Sequence, residues 1–132
     1  MITIEGELYS SKNSKQIVYN PATKRPVVVK SKVAKADEKA LCYKLMAVKR
    51  DFLRELEGKA KPYQIEFKIY RQTHRRFDYI NIIQNLCDCM VMSGLIEDDN
   101  ADILIPIFKP YEVDKSRPRV EITIREQANE EQ

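Results

Sequence analysis

The chain has 132 residues, 43% of them hydrophobic and 33% charged, and a formal net charge of +3. This length fits one domain, and the composition is typical of a globular protein rather than a disordered one. No charge-free apolar run reaches the roughly 18 to 20 residues that span a bilayer, and residues 1–10 lack the features of a secretory signal. We therefore expect a cytoplasmic protein without a membrane partner, with one domain over residues 1–125 and a disordered acidic tail over residues 126–132.

Basic residues are concentrated in the N-terminal part of the chain. Residues 10–50 contain 11 Lys or Arg against two acidic residues, whereas residues 51–132 contain 12 basic and 16 acidic residues. A basic segment beside acidic clusters suits a protein that attracts a polyanion over a long range and meets it with metal-binding carboxylates. A solvated, lysine-rich loop would explain the charge equally well.

The three cysteines are an odd set without the spacing of a disulfide framework. Cys87 and Cys89 look like a ligand pair, but residues two apart on a helix point away from each other. We interpret all three as buried structural thiols, because free cysteine packs as a small hydrophobe.

The first predicted elements are a strand, a polar loop and a helix. Residues 2–8 alternate as a strand does. Turn-forming residues dominate the loop that follows, in which residues 16–19 and 27–29 are candidates for a short hairpin. From Ala36 apolar residues recur every three or four positions, which predicts an amphipathic helix that ends at Gly58.

The second half of the chain predicts three strands and a second helix. Residues 63–71 alternate as a half-buried strand, and Asp78 occupies the N-cap position of a helix that runs to about Met92. After an acidic turn, residues 103–108 and 120–125 are strands joined by a polar loop. The order strand, loop, helix, strand, helix, strand, strand predicts an α+β domain with both helices packed on one sheet.

The second helix carries a polar stripe on an otherwise apolar surface. At 100° per residue one arc contains five polar residues, namely Asp78, Asn81, Gln84, Asn85 and Asp88. Buried carboxylates and amides without partners cost roughly 1 to 3 kcal/mol each. The stripe therefore faces a pocket or a partner, or it is a satisfied structural stripe in which Asp78 is an ordinary cap.

These residues resemble the RusA family of Holliday junction resolvases, which are often carried by prophages. The resemblance rests on a polar loop at residues 11–13 (Ser-Lys-Asn), a basic approach to Asp78 and Asn81, Asp88, and the sequence GLIEDD that ends at Asp99. It covers nearly the whole chain in order and with similar gaps. Its specific part is residues 75–99.

The resemblance implies a mixed sheet in a small homodimer that binds four-way DNA junctions and makes paired nicks in recombination and repair. It also implies Mg²⁺, or Mn²⁺, held by three aspartates beside a lysine. Carried over by position, the catalytic residues are Asp78, Asn81, Asp88 and Asp99, and the metal ligands are Asp78, Asp99 and the adjacent Asp98.

Two positions depart from the family pattern. The family's middle aspartate falls on Ile80, and its catalytic lysine falls on Gln84. A slow nuclease and an inactive homolog that still binds junctions both fit these changes, with Lys12 or Lys15 as candidates to replace the missing charge. A third alternative is an unrelated α+β interaction protein in which Asp78 only caps a helix.

A set of basic and polar residues forms the expected DNA contact surface. For His74 we favour a phosphate contact over a general-base role, because two adjacent arginines disfavour a protonated imidazole. Binding through such contacts weakens steeply with salt. The predicted DNA-binding residues are Lys12, Asn13, Lys15, Lys24, Arg25, Lys30, Lys32, His74, Arg75 and Arg76.

Overall fold

The computed structural model describes residues 1–9, 15–30 and 32–126, in which seven strands and two helices are formed. Their bounds in chain order are β1 Ile2–Glu5, β2 Lys15–Asn20, β3 Arg25–Lys30, α1 Lys32–Leu56, β4 Tyr63–Arg71, α2 Tyr79–Met92, β5 Leu104–Phe108, β6 Glu112–Val113 and β7 Arg119–Ile124. No helix in these ranges combines the length and the apolar character needed to cross a bilayer.

The main sheet has five strands in the order β1-β7-β4-β5, with β6 also paired to β4. β7 is antiparallel to both of its neighbours, whereas β5 and β6 are parallel to β4. The predicted α+β class, mixed sheet and two main helices are therefore confirmed. β2 and β3 pair with each other as a separate antiparallel hairpin.

The connection from β4 through α2 to β5 determines where the acidic residues lie. Tyr63, the first residue of β4, pairs with Leu104, the first residue of β5. Because the two strands are parallel, α2 must carry the chain back from the end of β4 to its beginning. Asp78 follows the end of β4, and Asp99 precedes the beginning of β5.

The core lies between the helices and one face of the sheet. Phe52 of α1 and Phe67 of β4 are fully buried, and burying side chains of this size contributes roughly 1.5 to 3 kcal/mol each. Six of the 14 residues of α2 are buried, namely Ile82, Ile83, Leu86, Cys87, Cys89 and Met90. The alternate residues of β4 are only half-buried, so the opposite face of the sheet is not covered to the same extent.

The elements differ from the predicted ones in β6, in the start of α1 and in the end of β1. The candidate hairpin in the basic loop is formed by β2 and β3. β6 was not predicted because two residues are too short to show a period. α1 begins at Lys32 rather than Ala36, since its first turn contributes no apolar stripe and Val33 is 70% exposed. β1 ends at Glu5 rather than at residue 8 because Gly6 has φ +102°, which an extended strand does not accommodate.

Candidate functional site

The carboxylate of Asp78 is not used to cap α2. Asp78 occupies the N-cap position with extended backbone angles (φ −113°, ψ 129°), but its side chain makes no capping hydrogen bond. Instead, Asn81 donates a hydrogen bond from Nδ2 to Asp78 Oδ2 over 3.2 Å. Among the described residues the first backbone N–H groups of α2 therefore have no cap from the Asp78 side chain, and a helix end of this kind favours a bound anion.

A cavity of about 510 Å³ lies at this end of α2. Asp78 and Asn81 line it at the start of the helix. Residues 71–73 and 75–77 line it from the end of β4 and the loop that follows, and residues 7–9 line it from the N-terminal segment. Arg71, Arg75 and Arg76 are its three basic residues, and Glu7 and Asp78 are its two acidic ones. The cavity thus places the Asp78 carboxylate beside three positive charges.

Aromatic contacts fix the start of α2 against the edge of the sheet. The Phe77 ring lies edge-on to Tyr79 at 5.2 Å and to Tyr111 at 4.9 Å between ring centroids. The backbone N–H of Tyr111 donates to the Tyr79 hydroxyl over 2.8 Å, and that hydroxyl donates to the carbonyl of Lys109. Asp78, between Phe77 and Tyr79, is therefore held in place by its two neighbours.

The basic residues before α2 divide into two groups. Arg75 and Arg76 are exposed and line the cavity. His74 is also exposed, but its ring contacts Tyr111 with 6.5 Å between centroids. The structure therefore places the two arginines, and not the histidine, beside Asp78.

The acidic turn after α2 has its own hydrogen bonds. Asp98 accepts one from the backbone N–H of Asp99 over 2.8 Å and one from the Asn100 amide over 3.0 Å. These bonds hold the pKa of Asp98 below its usual range. Glu97 forms an ion pair with Lys61, just before β4, which fixes the turn at the beginning of the sheet.

Asp99 lies close enough to Cys87 for its charge to raise the pKa of the Cys87 thiol. Burial first, then the charge of Asp99, then that of Asp88, raises the pKa of Cys87 from 9.0 to about 12. Asp88 and Asp99 thus share the neighbourhood of Cys87, in the second half of α2. All the predicted acidic residues are exposed, as a group that binds substrate or metal must be.

The predicted metal ligands are separated along α2 in the described part of the chain, with Asp78 before the helix and Asp99 near Cys87. A 14-residue helix is about 21 Å long, with Asp78 directly before it and Asp99 in the turn after it. Among the described residues no group of three or more His, Cys, Asp or Glu could hold a metal ion. Carboxylate and amide oxygens are nevertheless the donors that Mg²⁺ takes, so the residue types fit even though the described residues do not bring three such side chains together.

The predicted DNA contacts outside the cavity lie on the hairpin and at the start of α1. Lys24 and Arg25 are exposed at the hairpin turn, where Lys24 has φ +56°. Lys15 pairs with Lys30 at the other end of the hairpin, and Lys32 is the exposed first residue of α1. Lys12 and Asn13 lie outside the described residues, so the structure does not test their predicted role.

Sequence reasoning missed Arg71. It continues the inward-facing positions of β4 after Ile65, Phe67 and Ile69, and it is buried with them. The signal was present in the sequence, because extending the alternation of the strand by two residues places an arginine on the core side. An inward-facing charge at the end of a strand indicates a binding group or a buried ion pair.

Comparison with known proteins gives one family. The family model described as endodeoxyribonuclease RusA matches residues 9–125. This range contains the cavity arginines, α2 and the acidic turn. Among curated proteins no match is found.

Proposed function

Because the chain belongs to the RusA family of endodeoxyribonucleases, we propose that it is a metal-dependent endonuclease that cuts branched DNA, Holliday junctions in particular, in recombination and repair. The observation that carries the proposal is the state of Asp78. Its carboxylate does not cap α2, is oriented by Asn81 and lies in a cavity with three arginines. The side-chain oxygen of a residue that only caps a helix would accept hydrogen bonds from backbone N–H groups of the first turn.

Asp78 and Asp99, with Asp98 beside the latter, would hold Mg²⁺ or Mn²⁺. A divalent cation there supplies Lewis-acid activation of water and neutralises charge that develops on the phosphate. Asn81 orients the Asp78 carboxylate, and Arg75 and Arg76 contact the DNA backbone. Asp98 already accepts two hydrogen bonds, so its remaining lone pairs contribute less than those of Asp99.

We propose that the two carboxylates meet across a two-fold axis rather than within one protomer. Asp78 lies directly before α2 and Asp99 lies near Cys87 in its second half, so two copies of α2 that pack antiparallel would bring the start of one helix beside the second half of the other. Asp78 of one protomer would then approach Asp99 of the partner subunit. Such a homodimer carries two equivalent sites, which suits paired incision of a symmetric junction.

The outer face of α2 supports this arrangement. Four exposed residues recur at intervals of four along it, namely Ile80, Gln84, Asp88 and Met92. Ile80 is 74% exposed and Met92 is 62% exposed, which is unusual for apolar residues on a helix otherwise so well buried. In an antiparallel pair Ile80 faces the equivalent of Met92 and Gln84 faces the equivalent of Asp88, so the stripe is complementary to itself.

We further propose that catalysis is slow. Ile80 supplies no carboxylate and Gln84 no charge at the positions where the family has an aspartate and a lysine. By analogy with a lost oxyanion donor, one missing charge costs on the order of 10² to 10³ in rate. The exposed, apolar Ile80 favours a second candidate function, an inactive homolog that binds junctions without cutting them.

A nicking assay on a four-way DNA junction with and without Mg²⁺ tests the proposal. We expect slow, Mg²⁺-dependent nicking that Asp78→Asn and Asp99→Asn both abolish. Asp51→Asn, a matched change at an exposed acid of α1, should leave the rate unchanged. Junction binding without nicking would favour the inactive homolog. A protein that neither binds nor nicks the junction would contradict the proposal.

A further inference from the structure

Arg71 is buried in a way that its known partners do not explain. Only 9% of its surface is exposed, at the end of a strand whose other inward residues are Ile65, Phe67 and Ile69. Taking a guanidinium out of water is unfavourable unless its charge is paired and its donors are bonded. The contacts around Arg71 therefore decide what it does.

These contacts hold the guanidinium without satisfying it. Its Nε lies 3.5 Å from Glu7 Oε1, which is long for a charged hydrogen bond, and this buried Nε has no hydrogen-bond partner among the described residues. The same Glu7 oxygen also accepts the backbone N–H of Gln72. Phe77 lies under the guanidinium, with its ring centre 4.3 Å from Cζ. Arg71 is thus oriented by a ring and a shared carboxylate, and its buried Nε is left without a hydrogen bond among the described residues.

The surroundings of Arg71 favour an anion. It lines the same cavity as Asp78, together with Arg75 and Arg76, and the N-terminus of α2 opens there without a side-chain cap. Three arginines exceed the two carboxylates of Glu7 and Asp78, and the positive end of the helix dipole adds to them. A purely structural ion pair would need neither the cavity nor the unbonded Nε.

We propose that Arg71 binds a phosphate group of DNA inside this cavity, beside Asp78. It would supply there the positive charge that Gln84 no longer provides. This inference rests on the proposed function for the identity of the ligand, since the phosphate belongs to the DNA backbone. The Glu7 carboxylate orients the guanidinium before DNA binds and partly neutralises it, so Glu7 is a positioning residue.

The first experiment measures junction binding by the full chain as a function of salt. Neutralising one phosphate contributes about 0.9 to the slope of log K against log salt. We expect Arg71→Met to reduce this slope by about that amount per cavity and Arg71→Lys to keep the wild-type slope. Arg54→Met, which removes an exposed arginine of α1, is the matched control and should also keep the wild-type slope. An unchanged slope in a folded Arg71→Met protein would overturn the proposal.

A second experiment covers the case in which Arg71→Met does not fold. Glu7→Gln leaves Arg71 in place but removes its carboxylate, and Glu5→Gln is the matched control at an exposed acid of β1. We expect Glu7→Gln to lower the thermal midpoint in chloride, and inorganic phosphate at equal ionic strength to restore it. If phosphate raises the thermal midpoint of Glu7→Gln no more than that of Glu5→Gln, Arg71 has a purely structural role. This result is independent of DNA, so it remains decisive even if the wild-type protein binds no junction and the proposed function fails.

Discussion

Asn81 Nδ2 lies 3.2 Å from Asp78 Oδ2, and this hydrogen bond holds the Asp78 carboxylate, which does not cap α2, against the first turn of the helix. Groups that orient a metal-binding carboxylate typically contribute 10- to 100-fold to metal affinity or activity. We therefore predict that Asn81→Ala raises the Mg²⁺ concentration needed for half-maximal nicking by about tenfold or more. Asn85→Ala, one turn further along α2, is the matched control. Equal Mg²⁺ curves for Asn81→Ala and the wild type would show that the hydrogen bond serves the helix and not the site.

The separation of Asp78 and Asp99 along α2 predicts complementation between two inactive variants. In a homodimer with sites shared between protomers, Asp78→Asn and Asp99→Asn are each inactive. A mixed dimer has one site with both aspartates intact and one with neither. Mixing and refolding the two variants together should therefore restore about a quarter of the wild-type sites, measured as nicking of one strand of the junction.

Sites contained within one protomer predict the opposite result. Every protomer in the mixture then lacks one aspartate, and no combination recovers activity. Mixing Asp78→Asn with wild type provides the control: half of the sites stay intact in either case, but subunit exchange distributes them as one site per mixed dimer, so paired nicks are partly replaced by nicks in one strand. If exchange is demonstrated and the two-variant mixture stays inactive, the site is not shared between protomers. The protein could still be a nuclease in that case.

Restoring the two family residues should raise the rate. Ile80→Asp together with Gln84→Lys returns a carboxylate and a positive charge to α2, and we expect nicking to increase by up to about 10² to 10³. Ile80 is also on the proposed dimer face, so sedimentation at the assay concentration must accompany the kinetics. Met92→Asp is the matched variant, because it places a charge on the same face without restoring the site. We expect it to give monomers and to lose nicking.

The sequence predicts the local elements around the site well but not their distant relationships. The alternation of residues 63–71 and the N-cap position of Asp78 are local signals, and both elements have the predicted bounds. The parallel pairing of Tyr63 with Leu104 involves residues 41 positions apart, and it determines that Asp99 precedes β5 at the end of the sheet where β4 begins. Burial of Arg71 depends on how many residues of β4 the helices cover. The pairing has no period that a single sequence displays, whereas the inward position of Arg71 follows the alternation of β4.

The pKa of Cys87 predicts a loss of stability at alkaline pH that also tests the position of Asp99. Burial and the charges of Asp99 and Asp88 raise this pKa from 9.0 to about 12, so the folded protein keeps the thiol protonated where the unfolded chain ionises. The stabilisation from Cys87 is therefore complete below pH 9.0 and is lost as the pH rises toward about 12, at about 1.4 kcal/mol per pH unit. Urea denaturation of the wild type and of Cys87→Ala across this pH range gives the difference between their free energies of unfolding, in which the titration of other groups cancels.

The same thiol tests the position of Asp99. Asp99→Asn should lower the pKa of Cys87, measured by thiolate absorbance, more than Asp88→Asn does. No shift in Asp99→Asn would mean that its carboxylate lies away from Cys87, and the shared site would lose its structural basis.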